Sequence, residues 1–165
     1  MYTPKVSSKE LYESLPEQAK IGLGYAKQAF MANYGMTEEE WDKFISIPSN
    51  LKLMLAHDTM CKYRIVAECI ESRCCGAGIK VGQKFYFQTV PNMFLPEESD
   101  APPCIKALGP LSEHMHGIWE RMFEGLDPSA GMSQCVSCMD MGLEYGGIGH
   151  VVFHLYCEEI EPAEK

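Results

Sequence analysis

Residues 63–90 read YRIVAECIESRCCGAGIKVGQKFYFQTV. Both ends of this stretch, Tyr63-Arg-Ile-Val-Ala67 and Phe85-Tyr-Phe-Gln-Thr-Val90, are rich in the β-branched and aromatic side chains that suit a pleated, half-buried strand. Between them, residues 72–85 hold two cysteines and three glycines in fourteen positions. The pattern predicts two strands joined by a glycine-rich connection.

Toward the N-terminus the pattern is helical. Ser7-Ser-Lys-Glu10 and Thr37-Glu-Glu-Glu40 both have the form of a capping box. Pro16 suits the first turn of a longer helix carrying Ala19, Leu23, Ala26 and Phe30, which should stop at Gly35. The second box opens a helix with Trp41, Phe44 and Ile45 facing inward, closed by Pro48, and Ser49 caps one more short helix from Leu51 to His57.

Toward the C-terminus, Pro91, Pro96, Pro102 and Pro103 among acidic residues predict an exposed loop over 91–103. The stripe Leu108, Leu111, Met115, Ile118 and Met122 predicts a helix from Cys104 to Phe123, broken or kinked at Gly109-Pro110. Met132 to Met139 and His150 to Ile160 read as two more strands around a tight turn at Gly146-Gly-Ile-Gly149. The expected fold class is α+β: a helical N-terminal segment, then a β-β-α-β-β unit with a small antiparallel sheet. Residues 1–58 form the helical extension and 59–165 the cysteine-containing domain.

The charge of -9, from 23 acidic and 14 basic residues, disfavours binding to phosphate, and no basic stripe reverses it locally. Nucleic acid and membrane are therefore excluded as partners, and no run approaches the ~20 apolar residues that span a bilayer. The N-terminus lacks the pattern of a secretory signal, so a cytoplasmic location is expected. In a reducing compartment the eight cysteines point to metal binding, redox chemistry or burial rather than to permanent disulfides.

The run Cys75-Gly-Ala-Gly78-Ile-Lys-Val-Gly82-Gln-Lys-Phe85 resembles the C-x-A-G-x-K-V-G-x-x-F signature of a family of small, uncharacterised, cysteine-containing prokaryotic proteins. Cys104 before a proline-containing helix resembles that family's second cysteine, Cys138-Met-Asp140 its C-P-D element, and Val151-Val-Phe-His-Leu155 its closing strand. Gly76, Ile105 and Met139 stand where the family has proline. The resemblance covers residues 61–160. It implies a shared fold and a shared use for three cysteines, and it carries no activity.

Cys135-Val-Ser-Cys138 has the two-residue spacing that lets both sulfurs turn to one tetrahedral centre. With Cys75 and Cys104 at element boundaries, the set Cys75, Cys104, Cys135 and Cys138 is the candidate metal site, for zinc or an iron-sulfur cluster in a structural or electron-carrying role. The competing expectation is that these thiols pack as small hydrophobes in a non-catalytic accessory or interaction module, its helical N-terminus recruiting a protein partner or a second copy. A thiol-dependent enzyme is the third: Cys135-x-x-Cys138 lacks the following helix of a redox pair, and His114 and His116 lie on different faces of their helix. His150 and His154, four apart on a strand, are ~13 Å apart and cannot share an ion. The Gly146–Gly149 turn precedes a strand rather than the helix of a phosphate loop. Asp140 and Glu144 read as polar groups at a strand end, and the eleven methionines, Met115 and Met122 above all, as core filler.

Overall fold

The computed structural model describes residues 7–90, 93–131 and 133–160. The chain forms two compact units, Met1–His57 and Asp58–Lys165.

Four helices occupy the first part of the chain: α1 (Ser8–Glu13), α2 (Glu17–Tyr34), α3 (Glu38–Ile45) and α4 (Pro48–Met60). Both capping boxes form, so that each threonine or serine hydroxyl accepts from the glutamate amide while the carboxylate accepts from the cap amide. The α2 helix stops at Gly35, whose φ of 65° is left-handed backbone that a side chain would strain. Pro48 does more than close α3. Its fixed φ suits the first helical position, so α4 begins on the proline itself and runs on to Met60. Leu23, Trp41, Leu51 and Met54 form the core of these helices, with Phe30 and Phe44 packed around the Trp41 ring.

The second unit is a four-stranded antiparallel sheet in the order β2-β1-β4-β3, built from β1 (Tyr63–Arg73), β2 (Lys84–Gln88), β3 (Cys135–Ser137) and β4 (His150–Glu159). The fold class is α+β, helices first. Pairing of Ala67 with Phe85 and Leu155, and of Val136 with Phe153, aligns one face. On it Ile65, Ala67, Cys69, Phe85, Val136, Val151, Phe153 and Leu155 are all buried. Helix α5 (Ile105–Phe123) buries Ala107, Leu111, Met115, Ile118 and Met122 and packs beside β3. The opposite face carries a polar network around buried Val66: Arg64 pairs with Glu158 at 2.8 Å, and Lys84 donates to the Tyr156 hydroxyl, which donates to Glu68.

Several further features differ from the sequence expectation. First, β1 runs well past Ala67, to Arg73, because a bulge at Ile70 shifts its register. An extra residue in one strand reverses which side chains face the core. Ser72, not Glu71, thereby falls on the α5 side opposite Val151, and its hydroxyl donates to the Ile79 carbonyl at 2.6 Å.

Second, the described part of the 91–103 loop is not simply exposed. Phe94 bridges to Phe87, Ser99 accepts from the Tyr86 amide, and Ala101 is buried. The segment covers the outer edge of β2, where bare amides would otherwise invite pairing with another chain.

Third, α5 continues through Pro110. A proline inside a helix removes the N–H that would reach the carbonyl four residues back, here Lys106. That carbonyl instead accepts the Met139 amide at 2.9 Å. The missing bond is replaced from another element, so the helix is not broken. On the C-terminal side, β3 is shorter than the expected strand, and Met132 lies outside the described residues.

Candidate functional site

Three connections meet at one end of the sheet. Cys75 lies just beyond β1, in a turn closed by the Gly78 amide on the Cys75 carbonyl. Cys104 is the N-cap residue of α5, and its carbonyl accepts the Ala107 and Leu108 amides. Cys138 follows β3. Its amide continues the ladder to the Val151 carbonyl, and the bond from Met139 to Lys106 ties it to the first turn of α5. All three cysteines are half-buried, and all three line one cavity of about 220 Å³. The rest of the lining is mostly apolar, with Ile79, Ala107 and Val151 among its walls.

Cys135 stands apart. Strand residues alternate between faces, so positions three apart point to opposite sides. In β3 Val136 is buried, whereas Cys135 and Ser137 are exposed on the polar side, Cys135 opposite His154. The C-x-x-C spacing that converges at a turn is here divided by a strand. Among the described residues, no group of three or more histidine, cysteine, aspartate or glutamate side chains stands in a metal-holding arrangement. The structure thus brings Cys75, Cys104 and Cys138 around one cavity and leaves Cys135 on the other face.

The remaining cysteines have separate settings. Cys69 is fully buried and Cys157 is half-buried; burial pushes the Cys69 thiol up from its ordinary pKa and the Cys157 thiol up to about 12. Cys74 is exposed with φ 50°, a left-handed conformation that costs a non-glycine residue about 1–2 kcal/mol.

Asp140 organises the loop that carries Cys138. One carboxylate oxygen accepts the amides of Gly142, Ile148 and Gly149 at 3.1, 2.9 and 3.3 Å, and the other accepts Lys106 Nζ at 3.1 Å. The Lys106 hydrogen bond and then the backbone amides hold this carboxyl below the usual aspartate range. Amides that could have received a phosphate are already turned on an internal carboxylate. Two glycines permit the arrangement. A Cβ on Gly147 would overlap the Asp140 carboxylate, and one on Gly149 would overlap the Cys74 carbonyl. Sequence reading missed Asp140 as an organiser; its signal was the aspartate two residues after Cys138, beside a glycine cluster able to turn amides toward it.

His114, His116, His150 and His154 face groups other than the thiols. His114 and His116 are both exposed, and each Nδ1 lies close to a carbonyl of its own helix, Pro110 at 3.1 Å and Ser112 at 3.2 Å. His150 Nδ1 faces the Ser137 hydroxyl at 3.5 Å, and His154 Nε2 faces Gln134 at 3.4 Å. A wider recess of about 400 Å³ lies beside α5. Glu113 and Arg121 both line it, and Arg121 is directed by Nε onto the Asp127 carbonyl at 2.7 Å. No described helix is long and apolar enough to cross a membrane. No family model matches the chain, and no curated protein or solved structure matches it at a significant level.

Proposed function

We propose that the protein binds one soft metal ion through Cys75, Cys104 and Cys138, in a structural or carrier role. The observation that supports this reading is the convergence of three thiols, from three separate connections, on a single cavity. Thiolate ligands favour soft and borderline ions such as zinc, iron in clusters and Cu(I) over hard ones. Cys75, Cys104 and Cys138 would hold the ion as thiolates, releasing their protons on binding. The same three cysteines carry the motif resemblance, which supports their use as one set. Cys135, expected as a fourth ligand, is omitted because the strand turns it away.

The test is anaerobic metal loading of the full chain, with metal-to-protein ratio and thiolate-to-metal charge-transfer absorption as readouts. One ion per chain is expected. Cys75→Ser, Cys104→Ser and Cys138→Ser should each lower the ratio, while Cys135→Ser should not. A chain that takes up no metal, or that keeps its ratio in all three variants, overturns the reading.

A second reading, recruitment of another copy through the helical segment, rests on Ile21 and Tyr25, one turn apart on α2 and 51% and 70% exposed. Light scattering should then show a dimer that Ile21→Glu with Tyr25→Glu converts to a monomer; a monomeric wild type removes it.

A further inference from the structure

The recess beside α5 shares no lining residue with the thiol cavity, and its volume of about 400 Å³ is enough for a small molecule. Glu113, Gly117 and Arg121 follow one another at intervals of four along α5, so they form one row on one face of the helix, and all three line the recess. The two charges stand at opposite ends of that row. Eight residues of helix separate them by about 12 Å along the axis. Arg121 is drawn further still, because its Nε donates to the carbonyl of Asp127, beyond the end of α5. That bond uses one of the five N–H donors of a guanidinium. His114 joins Glu113 at the other end. Its Nδ1 lies 3.1 Å from the Pro110 carbonyl, and a carbonyl only accepts, so the neutral ring carries its proton there and keeps Nε2 as an acceptor. Gly117 opens the space between the charges. A Cβ on it would meet no heavy atom within 4 Å, and glycine is the poorest helix former after proline, so neither close packing nor helix propensity accounts for its place. The buried side chains of Ile118 and Leu155 give the recess an apolar wall.

We infer that this recess binds a short peptide whose two termini are free. The peptide carboxylate pairs with Arg121, its terminal ammonium group with Glu113 and His114, and an apolar side chain lies against Ile118 and Leu155. Charge complementarity selects this occupant. A simple organic anion would meet Arg121 and leave Glu113 unused, and a simple cation would do the reverse. A free amino acid carries both charges on one carbon, too close together to reach both ends. An extended chain of about three residues spans about 10 Å, which matches the separation of the charges once their side chains reach toward the ligand. The inference is independent of the metal reading, since the two sites have no residue in common.

The experiment is calorimetric titration of the full chain with the tripeptide Ala-Leu-Ala, with its N-acetyl form and with its C-terminal amide. Saturable binding of the free tripeptide is expected, and either cap should weaken it by about tenfold or more, the scale of a lost hydrogen bond to a charged group. The variants assign the ends. In Arg121→Gln the amide should bind no more weakly than the free acid, and in Glu113→Gln the N-acetyl form no more weakly than the free amine, because each cap then removes a pairing already lost. Gly117→Leu separates the site from the fold: it should abolish binding while the chain melts no lower than wild type, leucine being the better helix former. Absence of saturable binding by the wild type, equal affinity for free and capped tripeptides, or undiminished binding in Gly117→Leu overturns the inference.

Discussion

Adding one methyl group at Gly149 and the same group at Gly24 should change stability in opposite directions. Gly24 lies inside α2, exposed, with no heavy atom within 4 Å of a new Cβ. There alanine removes the backbone entropy cost of a helical glycine and should stabilise by about 0.8–1 kcal/mol. Gly149 is buried at the start of β4, and its new Cβ would overlap the carbonyl of Cys74, with the Arg73 carbonyl oxygen only 3.1 Å away. These neighbours are backbone atoms of β1 and its end, so no side chain can rotate aside. The strands must part where Arg73 pairs with His150, and overpacking of this kind costs about 1–3 kcal/mol. Each unit contains one tryptophan, Trp41 or Trp119, so Trp119→Phe and Trp41→Phe backgrounds report each unit separately in a urea titration. With a urea slope of about 1.5 kcal/mol per molar, a loss of about 2 kcal/mol lowers the Trp119 midpoint by about 1.3 M. A Gly149→Ala midpoint within about 0.3 M of the wild type, a loss under about 0.5 kcal/mol, would show that β4 does not approach Cys74 as described, and the geometry of the thiol cavity would fall with it.

Thr89 is buried, and its hydroxyl faces the carbonyls of Met60 and Tyr63, so Thr89→Val should cost about 1–3 kcal/mol by leaving them without a donor, while Thr89→Ser should lose less; equal urea midpoints for the two would contradict this. Cys74→Gly should gain about 0.5–1 kcal/mol, the left-handed strain at φ 50° less the added chain entropy of glycine, and a lower melting temperature than wild type would refute it. The Asp140 carboxyl is depressed in the folded chain, so its stabilising contribution is present above the unfolded-state pKa and is lost as pH falls through the folded value. The amide signals of Gly142, Ile148 and Gly149 should accordingly stay fixed through the ordinary aspartate range and move together below it; a common midpoint at or above that range counts against the carboxylate anchor.

Local signals were legible where one element supplies both the pattern and its partner. The two capping boxes and the Gly35 stop are of this kind, since every group involved lies within a few turns of the same helix, and the α5 stripe was legible from its helical period. Of the stripe, Leu108 alone is half-buried rather than buried. The misreadings arise where the deciding partner is remote. Pro110 looked like a break because the replacement donor for Lys106 is Met139, far along the chain. The 91–103 loop looked exposed because the β2 edge that it covers cannot be read from its own prolines. Cys135 and Cys138 looked convergent because their spacing suits a turn, and only the period of a strand separates them.

The cavity is assembled without help from its thiols, which bears on what they are for. Cys75 is positioned by the bulge in β1 and by the bond from Ser72 to Ile79, Cys104 by the start of α5, and Cys138 by the ladder to Val151 and the bond from Met139 to Lys106. The sulfur bond found at this end, from Cys138 to the Asp140 carbonyl, is a weak contact at 3.8 Å. A cysteine retained for packing resembles Cys69, fully buried among Ala67, Phe85 and Phe153 on the sheet's core face. Three half-buried thiols on one apolar cavity, each placed by backbone bonds that alanine or serine would preserve, contribute little to the fold that smaller residues could not. Three thiols lining one cavity are what the proposed metal reading rests on, and the proline in α5 frees the Lys106 carbonyl that ties the loop carrying Cys138 to the first turn of the helix that Cys104 opens.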